Sequence, residues 1–126
     1  MADRVPTVLV VDNDDGMVAA LSARITASGY RCLTAACGAQ AMAIFGDAEV
    51  DLVVTDLNMP SGDGVALAKA IRQFSDVPIV IVTGFHDNYR RDLRSVPNVS
   101  ILEKPFRSDH LLEVLEAELT LYDMEQ

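Results

Sequence analysis

The sequence predicts an α/β fold, an open parallel sheet of five strands with helices on both faces. Three observations predict it. Five short apolar runs recur along the 126 residues. Helix-period stretches lie between them. Three of the runs are nearly continuous in apolar character rather than alternating, the pattern of strands covered on both faces. Strand then helix, five times over, gives a parallel sheet joined by right-handed crossovers.

The runs are Thr7 to Val11, Cys32 to Ala35, Leu52 to Thr55, Ile79 to Thr83 and Val99 to Leu102. After the first, Met17, Val18, Leu21 and Ile25 share one helical face. Leu67, Ala70, Ile71 and Phe74 do the same later, and Leu111, Leu112, Leu115 and Leu119 form a stripe after the last run. Asp14 and Asp15 both suit a cap of the first helix, Asp15 the better, and Ser108 or Asp109 suits the last. Gly29, Gly38, Gly62 and Gly64 punctuate the joints, and Pro78 and Pro97 precede strands. Asp63 before Gly64 reads as turn chemistry.

The length suits one domain over residues 1–126, with a core from about 7 to 121. Half of the residues are apolar and 23% are charged, a globular balance. No run approaches a membrane span. Asp3 and Arg4 precede an apolar run too short for a signal peptide, so a cytoplasmic location is expected. The net charge of −9 argues against direct nucleic-acid binding. Cys32 and Cys37 have no histidine or third cysteine near enough for zinc, and reduced, packed thiols are expected. His86 and His110 stand alone and read as surface residues.

In a sheet of this kind, ligands sit beyond the carboxyl ends of the strands. The residues there are informative. Asp12, Asn13, Asp14 and Asp15 follow the first strand. Asp56, Leu57, Asn58, Met59 and Pro60 follow the third. The fourth ends in Thr83-Gly84 and the fifth in Glu103-Lys104-Pro105. The chain has eight arginines but only two lysines, Lys69 and Lys104. Lysine offers a compact charge for a single oxygen where arginine would offer a fork. Crowded carboxylates repel one another, and a divalent cation with hard oxygen ligands relieves this. Mg²⁺ takes one or two carboxylates and leaves room for phosphate oxygens. The set therefore suits phosphoryl transfer to a carboxylate, with Thr83 and Lys104 holding phosphoryl oxygens.

Four stretches carry a resemblance: Val8-Leu-Val-Val-Asp-Asn-Asp14, Asp51-Leu-Val-Val-Thr-Asp-Leu-Asn-Met-Pro60, Ile79-Val-Ile-Val-Thr-Gly84 and Leu102-Glu-Lys-Pro-Phe106. In that order and spacing the chain resembles the receiver domain of two-component response regulators. The resemblance implies a flavodoxin-like three-layer sandwich with strand order 2-1-3-4-5 and five alternating helices. The order is carried over from the family. Asp56 would be the phosphoacceptor. Mg²⁺ would be held by Asp12, Asn13, Asp56 and the backbone carbonyl of Asn58. Thr83 would bond the phosphoryl group and shift inward, Lys104 would contact its oxygens, and Pro105 would shape the turn, often through a cis bond. Asn58 and Phe85 flank the site and would tune the lifetime of the phosphoryl group.

The donor implied is a phosphohistidine on a sensor histidine kinase or a histidine phosphotransfer protein. A downstream effector, and a second copy on phosphorylation, are the other partners expected. Such a domain is a switch rather than an enzyme, catalysing only its own phosphorylation and dephosphorylation. The segment from His86 to Ser95 has a thin apolar face, mainly Tyr89 and Leu93, and carries Arg90, Arg91 and Arg94. Few buried anchors make a helix locally unstable, so this segment, with the strand and helix after it, is expected to form the partner surface. A solvated helical face is the alternative.

Two residues depart from the family. Asn13 stands where a second metal-binding acid is usual, and Ile101 stands where an aromatic ring is usual. Ile101 cannot swing a ring, so the output surface is expected to change less, or differently, as Thr83 moves. Two other functions remain open: a pseudo-receiver that is not phosphorylated, and a haloacid-dehalogenase-type phosphatase built on Asp12-x-Asp14. The latter leaves Asp56 without a role.

Asn13 supplies an oxygen but no charge. The variant Asn13→Asp should therefore bind Mg²⁺ more tightly than the wild-type chain in a metal titration; equal affinities would contradict the reading of Asn13 as a weakened ligand.

Overall fold

A computed structural model describes residues 5–57, 64–84, 93 and 95–125. Its strands are β1 (Thr7–Val11), β2 (Arg31–Ala35), β3 (Leu52–Asp56), β4 (Ile79–Thr83) and β5 (Val99–Glu103). They form one sheet in the order β2-β1-β3-β4-β5, and every pairing is parallel. This is the expected order. The helices are α1 (Asp15–Ala27), α2 (Gly38–Asp47), α3 (Gly64–Arg72) and α4 (Ser108–Glu125). The described residues thus hold four helices where five were expected. The remaining one, expected between β4 and β5 across 86–95, lies almost wholly outside them. Among the described residues no helix is long and apolar enough to cross a membrane.

The burial of each strand follows its place. β1 and β4 are buried at every position, while the edge strands β2 and β5 are partly exposed. Side chains alternate between the faces. Leu9, Val11, Val53, Ile79 and Ile81 pack against Ala41 of α2 and Val65, Leu67, Ala68 and Ile71 of α3. Val8, Val10, Leu52, Val54, Val80, Val82 and Leu102 pack against Leu21 and Ile25 of α1 and Leu111, Leu115 and Leu119 of α4. Continuous apolar runs were needed because the inner strands have a helix layer on each side.

Three local expectations change. Asp14, not Asp15, caps α1: its Oδ1 accepts the Met17 N–H at 3.1 Å. Asp15 becomes the first helical residue, where its charge favours the positive end of the helix dipole. At α4 the Leu111 N–H bonds the Arg107 carbonyl, which puts the cap one residue ahead of Ser108. Phe74 was expected on the buried face of α3, yet it is 75% exposed. The helix ends at Arg72, and the turn closed by bonds from Phe74 and Ser75 to the Ile71 carbonyl swings the ring outward. Val77 fills the core instead. No disulfide joins Cys32 and Cys37, and Cys32 packs into the α1–α4 layer.

Arg72 binds the end of α3 to two loops. Its Nε donates to the Pro97 carbonyl at 2.9 Å, and Nη1 donates to the Ser75 and Val77 carbonyls, each at 2.8 Å. Nη2 reaches the Asn98 carbonyl at 3.1 Å. Asn98, at a φ of 59°, returns a bond from Nδ2 to the Asp76 carbonyl at 2.9 Å. Asparagine tolerates this left-handed backbone better than most residues. The clamp fixes the chain on its entry to β4 and β5. A lysine has donors at one point only and cannot serve four carbonyls. Arg72→Lys should lower stability by about 2 kcal/mol in urea unfolding, as the Ser75 and Val77 carbonyls, both in partly buried bonds, lose a charged donor; an unchanged midpoint would show the clamp to be idle.

Candidate functional site

The strand register assembles the site. Val11 lies opposite Thr55, Asp56 opposite Val82, and Thr83 opposite Glu103. Asp12 and Lys104 each come one residue after a strand. Four side chains from four neighbouring strands therefore meet at one edge of the sheet: Asp12, Asp56, Thr83 and Lys104. Backbone bonds extend the ladder past the strand ends. The N–H of Asp12 bonds the Ala35 carbonyl at 3.1 Å, that of Leu57 the Val82 carbonyl at 3.0 Å, and that of Lys104 the Thr83 carbonyl at 2.8 Å. The Lys104–Pro105 peptide bond is cis, as expected.

Within this edge, Lys104 Nζ lies 3.5 Å from Asp56 Oδ1. The Asp56 side chain is 12% exposed, open enough to be reached but shielded enough to strengthen its electrostatics. Asp12 and Thr83 are buried. Burial raises the Asp12 carboxyl above its ordinary value, and the charges of Asp56 and Asp14 push the same way. The Asp14 N–H, which donates to Asp12 Oδ1 at 2.9 Å, and the Lys104 ammonium oppose the rise without cancelling it. A desolvated carboxylate beside another one is a place where a cation is favoured.

Asn13 is exposed, and Asp14 is engaged as the cap of α1. Among the described residues no three Asp, Glu, His or Cys side chains cluster as a metal cage. Asp12 and Asp56 form a carboxylate pair. Ile101 lies on β5 opposite Ile81 and is exposed. Asn58, Phe85, Arg90 and Arg94 lie outside the described residues.

Two residues at the site carry more than the sequence suggested. Gly64 reads there only as punctuation. In the fold it is buried, and its N–H bonds the Leu57 carbonyl at 2.6 Å. A Cβ at Gly64 would stand 2.5 Å from the Asp56 carbonyl oxygen and 2.9 Å from the Leu57 Cα. Any side chain would displace the backbone of Asp56, so glycine is required by close approach. Thr55 is buried, and its hydroxyl donates to the Asp56 carbonyl at 3.0 Å. The local pattern gave no signal for either contact beyond a glycine opening a helix and a threonine within a buried strand.

Comparisons with known proteins agree with this geometry. The family model of the response regulator receiver domain matches residues 8–116. The transcriptional regulatory protein GlrR of Escherichia coli (strain K12) is 30% identical over 119 residues, covering 92% of this chain and 27% of that protein. The probable transcriptional regulator ycf27 of Cyanidium caldarium is 37% identical over 79 residues, covering 63% and 32% respectively. The chain thus spans about a third or less of the length of these curated relatives. Among solved structures, chemotaxis protein CheY4 of Vibrio cholerae superposes with a TM-score of 0.85 at 29% identity, covering 91% of this chain and 99% of that one. The signal receiver domain of an HD domain-containing protein from Pseudomonas fluorescens Pf-5 gives 0.91 at 25% identity, covering 99% and 94%. With the family match over most of its length and the same sheet order, this chain belongs to the response regulator receiver domain family, a family of signalling domains.

Proposed function

We propose that the chain is a phosphoacceptor switch in which Asp56 takes a phosphoryl group from a phosphohistidine of a sensor histidine kinase or histidine phosphotransfer protein. The observation that carries this reading is the approach of Lys104 Nζ to Asp56 Oδ1, 3.5 Å, beside the buried Asp12. In the transfer, a carboxylate oxygen of Asp56 forms a bond to phosphorus as the P–N bond of the donor breaks. The electron pair stays on the imidazole nitrogen, which is then protonated by solvent. Lys104 offsets the charge on the phosphoryl oxygens, and the Thr83 hydroxyl holds one of them. Attack by water on the same phosphorus restores the free Asp56.

The residues present fit Mg²⁺. Asp12 and Asp56 supply two hard carboxylates at a place where their mutual repulsion and burial favour a cation, and two are enough for this metal. The side chains of Asp12, Asp56 and Asn13 and the carbonyl of Asn58 would hold it. When bound, it supplies positive charge to the phosphoryl oxygens.

Phosphorylation would then alter the partner surface around β5 and α4, with Ile101 in place of a ring. The curated relatives named above are transcriptional regulators, which supports a downstream effector acting on transcription. The net charge of −9 supports contact with nucleic acid through that effector rather than through this domain. The phosphatase alternative built on Asp12 leaves without a role Asp56, whose Oδ1 lies 3.5 Å from Lys104 Nζ.

With acetyl phosphate and Mg²⁺, the intact mass of the wild-type chain should rise by one phosphoryl group, and that of Asp56→Asn should not. No gain in the wild type would favour a pseudo-receiver; a gain retained in Asp56→Asn would remove Asp56 from its role.

Asp12 gives a second prediction. Its folded pKa is raised above 3.8, so the folded chain holds this proton more tightly than the unfolded chain. The associated stability is present at low pH and is lost as pH rises through the folded pKa. Asp12→Asn keeps an oxygen for the Asp14 N–H but never ionises. In metal-free buffer it should melt above the wild type at neutral pH, with the gap closing in acid. Mg²⁺ should raise the wild-type Tm more than that of the variant. Equal melting temperatures at neutral pH would contradict the raised pKa.

A further inference from the structure

The residue just before Asp56 is a threonine, fully buried in surroundings that are otherwise apolar. Val53 and Val54 precede Thr55 in the strand. Its cross-strand neighbours, Val11 on β1 and Ile81 on β4, are buried and apolar. A hydroxyl desolvated in such a place costs free energy unless it finds a partner. Thr55 Oγ1 finds one in the Asp56 carbonyl, to which it donates at 3.0 Å. A β-branched side chain has few χ1 rotamers, so the hydroxyl stays aimed at that oxygen.

The Asp56 carbonyl belongs to the peptide unit that joins Asp56 to Leu57. Such a unit is planar and turns as a plate. Its other polar group is also held, because the Leu57 N–H donates to the Val82 carbonyl at 3.0 Å. Gly64 limits movement from a third side, where even a Cβ would stand 2.5 Å from the Asp56 carbonyl oxygen. A plate held in this way fixes the backbone torsion ψ of Asp56. That torsion sets the direction in which the carboxylate leaves the backbone toward Lys104 Nζ, 3.5 Å from Oδ1.

We infer that Thr55 is a positioning residue for phosphoryl transfer: its buried hydroxyl holds the Asp56–Leu57 peptide plane and so aims the Asp56 carboxylate at the incoming phosphorus. Thr55 acts through the backbone of Asp56 and touches no reacting atom. Phosphoryl transfer depends mainly on positioning and charge neutralisation, and a small misalignment of the attacking oxygen is costly in rate. The inference rests on the reading of Asp56 as the phosphoacceptor.

The test uses two pairs of chains, each contrasting a side chain that bears the hydroxyl with one of similar shape that lacks it. One pair is the wild type and Thr55→Val; the other is Thr55→Ser and Thr55→Ala, which serves alone should Thr55→Val not fold. Intact mass followed over time, at a series of acetyl phosphate concentrations with Mg²⁺, gives the maximal rate and the half-saturating concentration. Urea unfolding gives the stability of each chain. Loss of the hydroxyl should lower the maximal rate about ten-fold in both pairs. The half-saturating concentration should stay the same, because alignment is lost and donor binding is not. Thr55→Ser should keep a rate near that of the wild type although its missing methyl group lowers its stability. Rates that follow stability rather than the hydroxyl would overturn the inference and leave Asp56 as the acceptor. So would wild-type rates in Thr55→Val and Thr55→Ala. A wild-type chain that gains no phosphoryl group would overturn both.

Discussion

The parallel register of β1, β3, β4 and β5 is the constraint on which the candidate site depends. Each strand alone delivers one polar residue to its carboxyl end. Only in-step pairing puts Asp12, Asp56, Thr83 and Lys104 side by side. A slip of one residue in any pair would turn the apolar side chains of that strand to the wrong helix layer. The buried positions on both faces therefore hold the site in place as well as the fold. Gly64 adds a local condition, since its missing side chain lets α3 start against the backbone of Asp56.

What the register assembles is electrostatically uneasy. Asp12 is desolvated and faces the charge of Asp56, and Lys104 relieves this only in part. A fold tolerates such a cluster at a cost to its own stability, which a bound cation or phosphoryl chemistry can put to use. At the opposite end of the sheet the polar groups are satisfied differently. There Arg72 serves four backbone carbonyls and secures the entries to β4 and β5.

Much of this was legible in the sequence, for definite reasons. The inner strands declared themselves because burial on both faces leaves no polar alternation. The candidate site residues stood out because each is a polar group that ends a strand or directly follows one. Periodicity could not supply the strand order, which came from the family resemblance. Other features depend on contacts that no local pattern encodes: the outward turn of Phe74, the Arg72 clamp, and the approach of Gly64 to Asp56. The choice between Asp14 and Asp15 as cap was one of register, since both acids suit a helix start and only the structure shows which oxygen meets an N–H.

The central claim is that Asp56 receives a phosphoryl group within this four-strand edge. The most direct measurement is a backbone amide NMR titration with beryllofluoride and Mg²⁺, which mimics the phosphoryl group on a carboxylate. The largest shifts should fall at Asp12, Asp56, Leu57, Thr83 and Lys104, and Asp56→Asn should abolish them. Shifts confined to the amino ends of the strands, or unaltered by Asp56→Asn, would contradict the account.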